Sequence, residues 1–308
     1  MSNLTRRMVL RGAAAAASMP AIDRFQGRMA FAATPFVCGV SAMIESSFRG
    51  NPNSPGNFEA LLQNGNQIVH YWRDNSTPGF PWHFGGTVTT LARAPATLIQ
   101  STFRGTPNSP GNFEALVLEG SNLVHYWRDN SAPGLPWHRS VTVSTNAISA
   151  ASLIQSTFRG ASSAPGNFEA LVHEPGKLVH YWRDNTTPGF PWHSSVTVSA
   201  TAIGAASLIQ STFRGTATAL GNFEALVHEP GKLVHYWRDN ATPGLPWHSS
   251  ATVSTAANNA ATLIQSTFRG TSSALGNFEA LVPEPGKLVH YWRDNATVGF
   301  PWHPSVTI

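Results

Sequence analysis

The chain has 308 residues, of which 42% are hydrophobic and only 12% charged, a composition that excludes an intrinsically disordered protein. The net charge of +4 comes mainly from the first 32 residues, because from residue 33 onward 15 basic side chains balance 15 acidic ones. A neutral body lacks the dense positive surface that phosphate backbones require, so no nucleic-acid partner is expected.

Residues 1–32 are predicted to be a twin-arginine-type export signal that is cleaved. Arg6 and Arg7 precede a short apolar run at 12–17, and small residues follow at 30–32. The run is too short to cross a bilayer, so no membrane span is expected and the protein is predicted to be secreted or periplasmic. The alternative is a merely basic N-terminus. Cys38, the single cysteine, is interpreted as a small buried hydrophobic residue.

Residues 33–308 form a single predicted domain of five 55-residue repeats. The motif HYWRDN followed by PWH recurs without insertion or deletion, and it contains all ten tryptophans. A fixed period of this length is typical of repeat architectures. The first tryptophans of the motif are Trp72, Trp127, Trp182, Trp237 and Trp292, and the second are Trp82, Trp137, Trp192, Trp247 and Trp302. The first tryptophans lie in the middle of a predicted strand and are interpreted as core residues.

Each repeat contains four short segments typical of β-strands, at 153–158, 168–173, 178–183 and 192–198 in the third copy. A two-residue turn at 175–176 would join the second and third segments as a hairpin. The strand alternation then places Glu169, His180 and Trp182 on one face and Phe168, Tyr181 and Arg183 on the other. Both faces are apolar enough to require a covering neighbour.

Five four-stranded sheets covered on both faces predict an all-β fold, a five-bladed β-propeller of four-stranded antiparallel blades. The last repeat runs unaltered to residue 308, from which we expect the two ends of the array to meet. Either each blade comes from one copy, or the segment at 37–49 completes the last blade. The long loops at 159–167 and 184–191 are expected on one rim of the disc, which is the candidate functional surface.

The pattern GNFEALVHEPGKLVHYW at 166–182, followed by PWH at 191–193, resembles the repeats of bacterial and fungal propeller lectins of the tectonin and Photorhabdus-lectin type. The resemblance covers residues 37–308, and five blades are similar to the tachylectin-2 type. It implies reversible, multivalent glycan binding at pockets repeated around the ring, with an aromatic ring against the sugar. This repeat departs from the family pattern in being longer and in its RDNxxPGxPW loop, so the resemblance does not assign the sugar specificity or the ligand residues.

The candidate sugar-binding residues are the Arg-Asp-Asn triplet and the second tryptophan of every copy. In each copy the tryptophan is predicted either to stack on a sugar or to pack between blades, and the triplet either to bracket hydroxyl groups or, through Asp and Asn, to form Asx turns. The set comprises Arg73, Asp74, Asn75, Trp82, Arg128, Asp129, Asn130, Trp137, Arg183, Asp184, Asn185, Trp192, Arg238, Asp239, Asn240, Trp247, Arg293, Asp294, Asn295 and Trp302.

The sequence favours a multivalent lectin whose partners are glycans or glycoconjugates on a cell surface. The alternatives are a structural or protein-binding propeller scaffold and, second, a glycoside-processing enzyme. Catalysis is not expected, because almost every carboxylate belongs to a five-fold set and no metal-ligand cluster or phosphate-binding loop is apparent. No cofactor and no metal are expected, and the oligomeric state stays open.

Overall fold

The computed structural model describes residues 38–308, in which twenty β-strands form five sheets of four strands. The export signal predicted for residues 1–32 lies outside the described residues. Over this described range, no helix has the length and apolar character needed to span a membrane.

The strands follow one another in five equivalent sets. Blade one contains β1 (Cys38–Glu45), β2 (Phe58–Asn64), β3 (Gln67–Arg73) and β4 (Trp82–Thr89), and blade two contains β5 (Ile99–Gln100), β6 (Phe113–Glu119), β7 (Asn122–Arg128) and β8 (Trp137–Ser144). Blade three contains β9 (Ser152–Gln155), β10 (Phe168–Glu174), β11 (Lys177–Arg183) and β12 (Trp192–Ser199). Blade four contains β13 (Ala206–Gln210), β14 (Phe223–Glu229), β15 (Lys232–Arg238) and β16 (Trp247–Ser254), and blade five contains β17 (Ile264–Gln265), β18 (Phe278–Glu284), β19 (Lys287–Arg293) and β20 (Trp302–Thr307).

Every blade is an antiparallel sheet whose strands lie in the order of the sequence, so each blade is built from one repeat. This resolves the choice that the sequence leaves open. The predicted hairpin register is confirmed, since Glu174 pairs with Lys177 and Glu169 pairs with Trp182. The all-β, five-bladed propeller arrangement is likewise confirmed.

Each blade has two faces with different neighbours. We call the face that carries Glu169, Leu171 and His180 in blade three the forward face, because blade four packs on it. The backward face carries Phe168 and Ala170 and packs on blade two. Large side chains on both faces are almost fully buried, and four hydrophobic clusters occupy the four junctions between consecutive blades. The core of this protein is therefore divided among its blade junctions.

The forward face of blade five is uncovered. Phe268 is 75% exposed and Ile264 is 59% exposed, although their counterparts in the other four blades are partly buried. On the backward face of blade one, Met43 is 60% exposed, whereas the equivalent Leu153 is 6% exposed. The expectation that the two ends meet is therefore wrong for the described residues. The copies are nearly identical, so each presents the same forward face, and among the described residues that of blade five has no blade packed on it.

Candidate functional site

The two long loops of each blade lie side by side on one rim, as predicted. In blade three, Asn185 donates from its backbone N–H to Asn167 Oδ1 at 3.3 Å and from Nδ2 to the Gly166 carbonyl oxygen at 2.6 Å. Gly160 lies so close to the second loop that a Cβ atom there would lie 2.4 Å from Thr186 Oγ1. The loops are thus fixed to each other as well as to the strands.

The aspartate of each triplet forms the predicted Asx turn. In blade three, Asp184 Oδ1 accepts hydrogen bonds from the N–H and the hydroxyl of Thr186 at 2.8 and 2.5 Å, and Oδ2 accepts from Thr187 Oγ1 at 2.6 Å. These donors stabilise the carboxylate, so they lower the pKa of Asp184; the same contacts, led by the Ser76 hydroxyl, lower the pKa of Asp74 to about 2. The aspartates are therefore ionised on the rim at neutral pH.

The arginine of each triplet lies in the junction with the preceding blade. Arg183 donates from Nε to Asn185 Oδ1 at 2.6 Å and from Nη1 to His125 Nδ1 of blade two at 3.4 Å, and its guanidinium lies 4.1 Å from the centre of the Phe168 ring. Burial lowers the pKa of Arg183 to about 10, still high enough to keep the group charged at neutral pH. Four of the five arginines make this contact with a histidine of the preceding blade; for Arg73, in blade one, the described residues contain no preceding blade.

A buried glutamate and histidine complete the junction below the arginine. Glu114 accepts from Ser101 Oγ at 2.8 Å and pairs with His125 Nε2 at 2.9 Å. Because Arg183 donates to Nδ1, we assign the ring proton of His125 to Nε2, where it is donated to Glu114. Burial lowers the pKa of His125, so the imidazole is neutral and the Glu114 carboxylate faces the charge of Arg183.

The second tryptophan packs at a blade junction in four of the five copies, whereas Trp82 lies in blade one, which no other blade precedes among the described residues. Trp192 contacts His125 of the preceding blade edge to face, with ring centres 6.0 Å apart, and Trp137 contacts His70 in the same way at 5.9 Å. Trp247 and Trp302 repeat the contact. These rings adopt the inter-blade arrangement, which is the packing alternative considered for them from sequence.

A groove opens on the loop rim between blades two and three, and an equivalent groove lies between blades four and five. Their volumes are about 330 and 340 Å³. The first groove is lined by Phe103, Arg104, Glu114, Trp127, Asp129 and Arg183, and the second by Phe213, Arg214, Glu224, Trp237, Asp239 and Arg293. Each pair of matching residues is 110 positions apart, so both grooves are the same site two repeats apart.

Some of the residues that line this groove are predicted from the sequence and others are not. Asp129 and Arg183 were candidate residues and do line it, whereas Asn130 and Trp137 do not. The first tryptophan, which was interpreted as a core residue, is half-buried. Trp127 stacks on His138 at 4.5 Å and also contributes to the groove wall. Its place directly before the Arg-Asp-Asn triplet, where the strand reaches the rim, is the signal that would have found it.

The groove also contains a strained residue. Phe190 has a φ of +49°, which is costly for a bulky side chain, and the equivalent residues Phe80, Leu135, Leu245 and Phe300 have φ between +46° and +49°. In this conformation the Phe190 ring lies edge to face on Phe103 at 5.4 Å, across the blade junction. Phe300 lies in the same place in the second groove, so a residue with positive φ contributes to the wall of both grooves.

Comparisons with known proteins do not show a family for this chain. No family model matches the chain, and no curated protein matches it either. Among solved structures, the chain is similar to the WD40 domain of SCAP from fission yeast, with 10% sequence identity and a TM-score of 0.45. The likeness covers 90% of this chain and 67% of that one. Within residues 38–308, no group of three or more His, Cys, Asp or Glu side chains is arranged to hold a metal ion.

Proposed function

We propose that the protein binds glycans multivalently through the grooves between adjacent blades on its loop rim. The observation that carries the proposal is the recurrence of one groove, with the same residue types, at two junctions two repeats apart. A site repeated on a rigid scaffold suits a repetitive ligand such as a cell-surface glycan. Engagement of several sites at once raises weak single-site affinity by roughly 10² to 10⁴.

The chemistry of the groove suits a sugar. Trp127 and Phe190 supply apolar surface for the C–H face of a pyranose ring, and Arg104, Asp129 and Ser140 supply donors and acceptors for hydroxyl groups. A volume of about 330 Å³ lies within the usual range of small-ligand sites, which is about 300–1,000 Å³. The resemblance of the repeat to propeller lectins of the tectonin type supports the same proposal, and export by the twin-arginine signal would place the protein in contact with surface glycans.

We propose binding without catalysis, although each groove contains two carboxylates. A glycosidase needs one carboxylic acid that is protonated at working pH. Hydrogen bonds from Ser131 lower the pKa of Asp129, and both oxygens of Glu114 are held by Ser101 and His125. Neither carboxylate is placed to donate a proton. Failure to hydrolyse aryl glycosides is the expected result.

The proposal is tested by a glycan array followed by titration calorimetry with the best ligand. We expect Trp127→Ala combined with Trp237→Ala, which alters both grooves, to weaken binding of a monovalent sugar by at least about tenfold. Arg104→Ala with Arg214→Ala should have the same direction of effect. Arg93→Ala is the matched control, because this exposed arginine lies near the tight β-turns of the opposite rim.

A protein-binding scaffold would behave differently in the same experiments. It would give no glycan signal and no agglutination, and its binding would be sought with protein partners instead. A glycan signal that survives the tryptophan and arginine substitutions would place the sugar site elsewhere and overturn the groove as the site. Retained circular dichroism and an unchanged unfolding midpoint would show that each variant is folded.

A further inference from the structure

The two ends of the blade array are complementary to each other. The forward face of blade five forms an open apolar groove of about 660 Å³, whose lining includes Ile264, Phe268, Glu279 and His290. In blades one to four this same face is covered by the backward face of the next blade. The four internal junctions therefore specify what the exposed face fits, which is the backward face of a repeat.

The backward face of blade one carries the features of that partner. Arg73 donates from Nε to Asn75 Oδ1 at 2.7 Å and lies 4.2 Å from the centre of the Phe58 ring, the arrangement found for Arg183 and Phe168. At the internal junctions such an arginine reaches a histidine of the preceding blade and faces its buried glutamate. Here the cation of Arg73 and the carboxylate of Glu279 are at opposite ends of the array.

We propose that the forward face of blade five binds the backward face of blade one of a second copy of this chain, head to tail. His290 and Glu279 of one copy would receive Arg73 of the other, and Phe268 would pack on Phe58 as Phe103 packs on Phe168 at 5.7 Å. The contact joins two different surfaces, so it is heterologous and gives a ring if the rotation closes or a chain of copies if it does not.

One sequence difference between the copies, at the edge of the proposed contact, agrees with it: copy one has Glu45 where the other copies have glutamine. Inside the array, a glutamine bridges consecutive blades: Ser47 N–H donates to Gln100 Oε1 at 2.7 Å, and Gln100 Nε2 donates to Ser47 Oγ at 2.8 Å. At the ends the equivalent residues are Glu45 and Thr267, both exposed. A carboxylate accepts from both the N–H and the hydroxyl of Thr267, so Glu45 preserves the bridge.

Association would also complete a further rim groove. Phe268, Arg269, Trp292 and Asp294 of one copy match four residues of the groove between blades two and three. Phe80 of the second copy would supply the residue that corresponds to Phe190. This consequence rests on the proposed glycan function, whereas the association itself is measured without any glycan and stands or fails separately.

The first test measures the mass of the full chain against concentration by analytical ultracentrifugation. We expect the mass to rise with concentration. We expect Phe268→Asp to weaken association at least about tenfold, because it places a charge in the face that the second copy would cover. Val298→Asp is the matched control in the same blade, since Val298 is fully accessible on a loop. A chain that stays monomeric, or one in which both variants associate normally, overturns the proposal.

The second test identifies the surfaces with a short bismaleimide cross-linker in a Cys38→Ser background. Thr267→Cys and Glu45→Cys variants are prepared separately. The proposal expects cross-linked dimers only when the two variants are mixed, because each variant alone lacks one side of the contact. If the mixture gives no dimer while the double variant cross-links within one chain, the array closes on itself and the proposal is overturned. Dimers from either variant alone would indicate a symmetric contact and overturn it as well.

Discussion

Blades two and five have nearly the same sequence and very different surroundings. The pair formed by Glu114 and His125 is covered by blade three, with both residues at most 2% exposed, whereas the side chain of His290 in blade five is 30% exposed. The hydrogen bonds inside the two blades are the same: His125 meets Glu114 at 2.9 Å and His290 meets Glu279 at 3.0 Å. A blade therefore builds its own histidine and glutamate pair, and the neighbour adds the cover and the arginine.

The covered junctions and the open end therefore differ in how far their charged groups are removed from water. In a covered junction a carboxylate, a neutral imidazole and a guanidinium are all removed from water, and they remain stable because each satisfies another. At the open end water solvates the same groups in part. Stability should accordingly depend on the polar residues much more at the covered junctions than at the end.

The largest expected effect is that of acid, which should lower the free energy of unfolding by destabilising the covered junctions. Burial lowers the pKa values of His70, His125, His180 and His235 below the value of 6.5 expected in the unfolded chain. Above pH 6.5 both states hold neutral imidazoles. Below it the unfolded chain binds protons that the folded chain does not, so stability falls as the pH drops until the folded-state pKa values are reached.

The expected loss is at most about 1.4 kcal/mol per pH unit for each histidine, or about 5 kcal/mol per unit for four. Urea unfolding followed by tryptophan fluorescence at intervals between pH 8 and pH 5 measures it. The His125→Gln variant should have a slope smaller by about 1.4 kcal/mol per unit. A transition midpoint that does not change over this range would contradict the assignment of neutral buried imidazoles.

The same substitution of a glutamate should have different effects on stability in a covered junction and at the open end. Glu114→Gln removes the negative charge that faces Arg183 in a covered junction, and we expect a loss of about 3–5 kcal/mol because a buried cation is left unpaired. Glu279→Gln makes the same change at the open end, where the described residues place no following blade and hence no counterpart of Arg183. Its cost should be under about 1 kcal/mol.

Both glutamate variants are compared with the unsubstituted chain by urea unfolding at pH 7.5 and at low protein concentration, so that Glu279 is not covered by association. Equal losses at the two positions would mean that the stabilising contacts of the glutamate lie inside the blade. The role assigned to the neighbouring arginine would then be wrong.

The sequence predicts the features that are set within a single blade, and it does not predict the contacts that a residue makes with the adjacent blade. Strand alternation and a two-residue turn are local, so the pairing of Glu174 with Lys177 and the two faces of the sheet were predictable. The contact from Arg183 to His125 joins residues 58 positions apart in different repeats, and nothing within one repeat indicates it. The groove depends on the same packing between repeats, so the sequence of one repeat indicates a core position for Trp127 and not its place in the groove wall.

Substitution of an equivalent glycine in blade two and in blade five should destabilise the protein to the same extent. A Cβ atom at Gly111 would lie 1.8 Å from the Ser101 carbonyl oxygen, and one at Gly276 would lie 1.8 Å from the Ser266 carbonyl oxygen. Both clashes are within a blade and against backbone, so the chain must shift, at a cost of about 1–3 kcal/mol or more.

Gly111→Ala and Gly276→Ala should therefore lower the free energy of unfolding equally, to within the roughly 10–15% uncertainty of urea extrapolation. A much smaller effect at Gly276 would show that blade five unfolds separately from the rest, and the contrast between Glu114 and Glu279 would then reflect a loose blade. Equal effects would show that blade five is as firmly folded as blade two, because the same strain destabilises both. The difference at the glutamates would then belong to the missing neighbour alone.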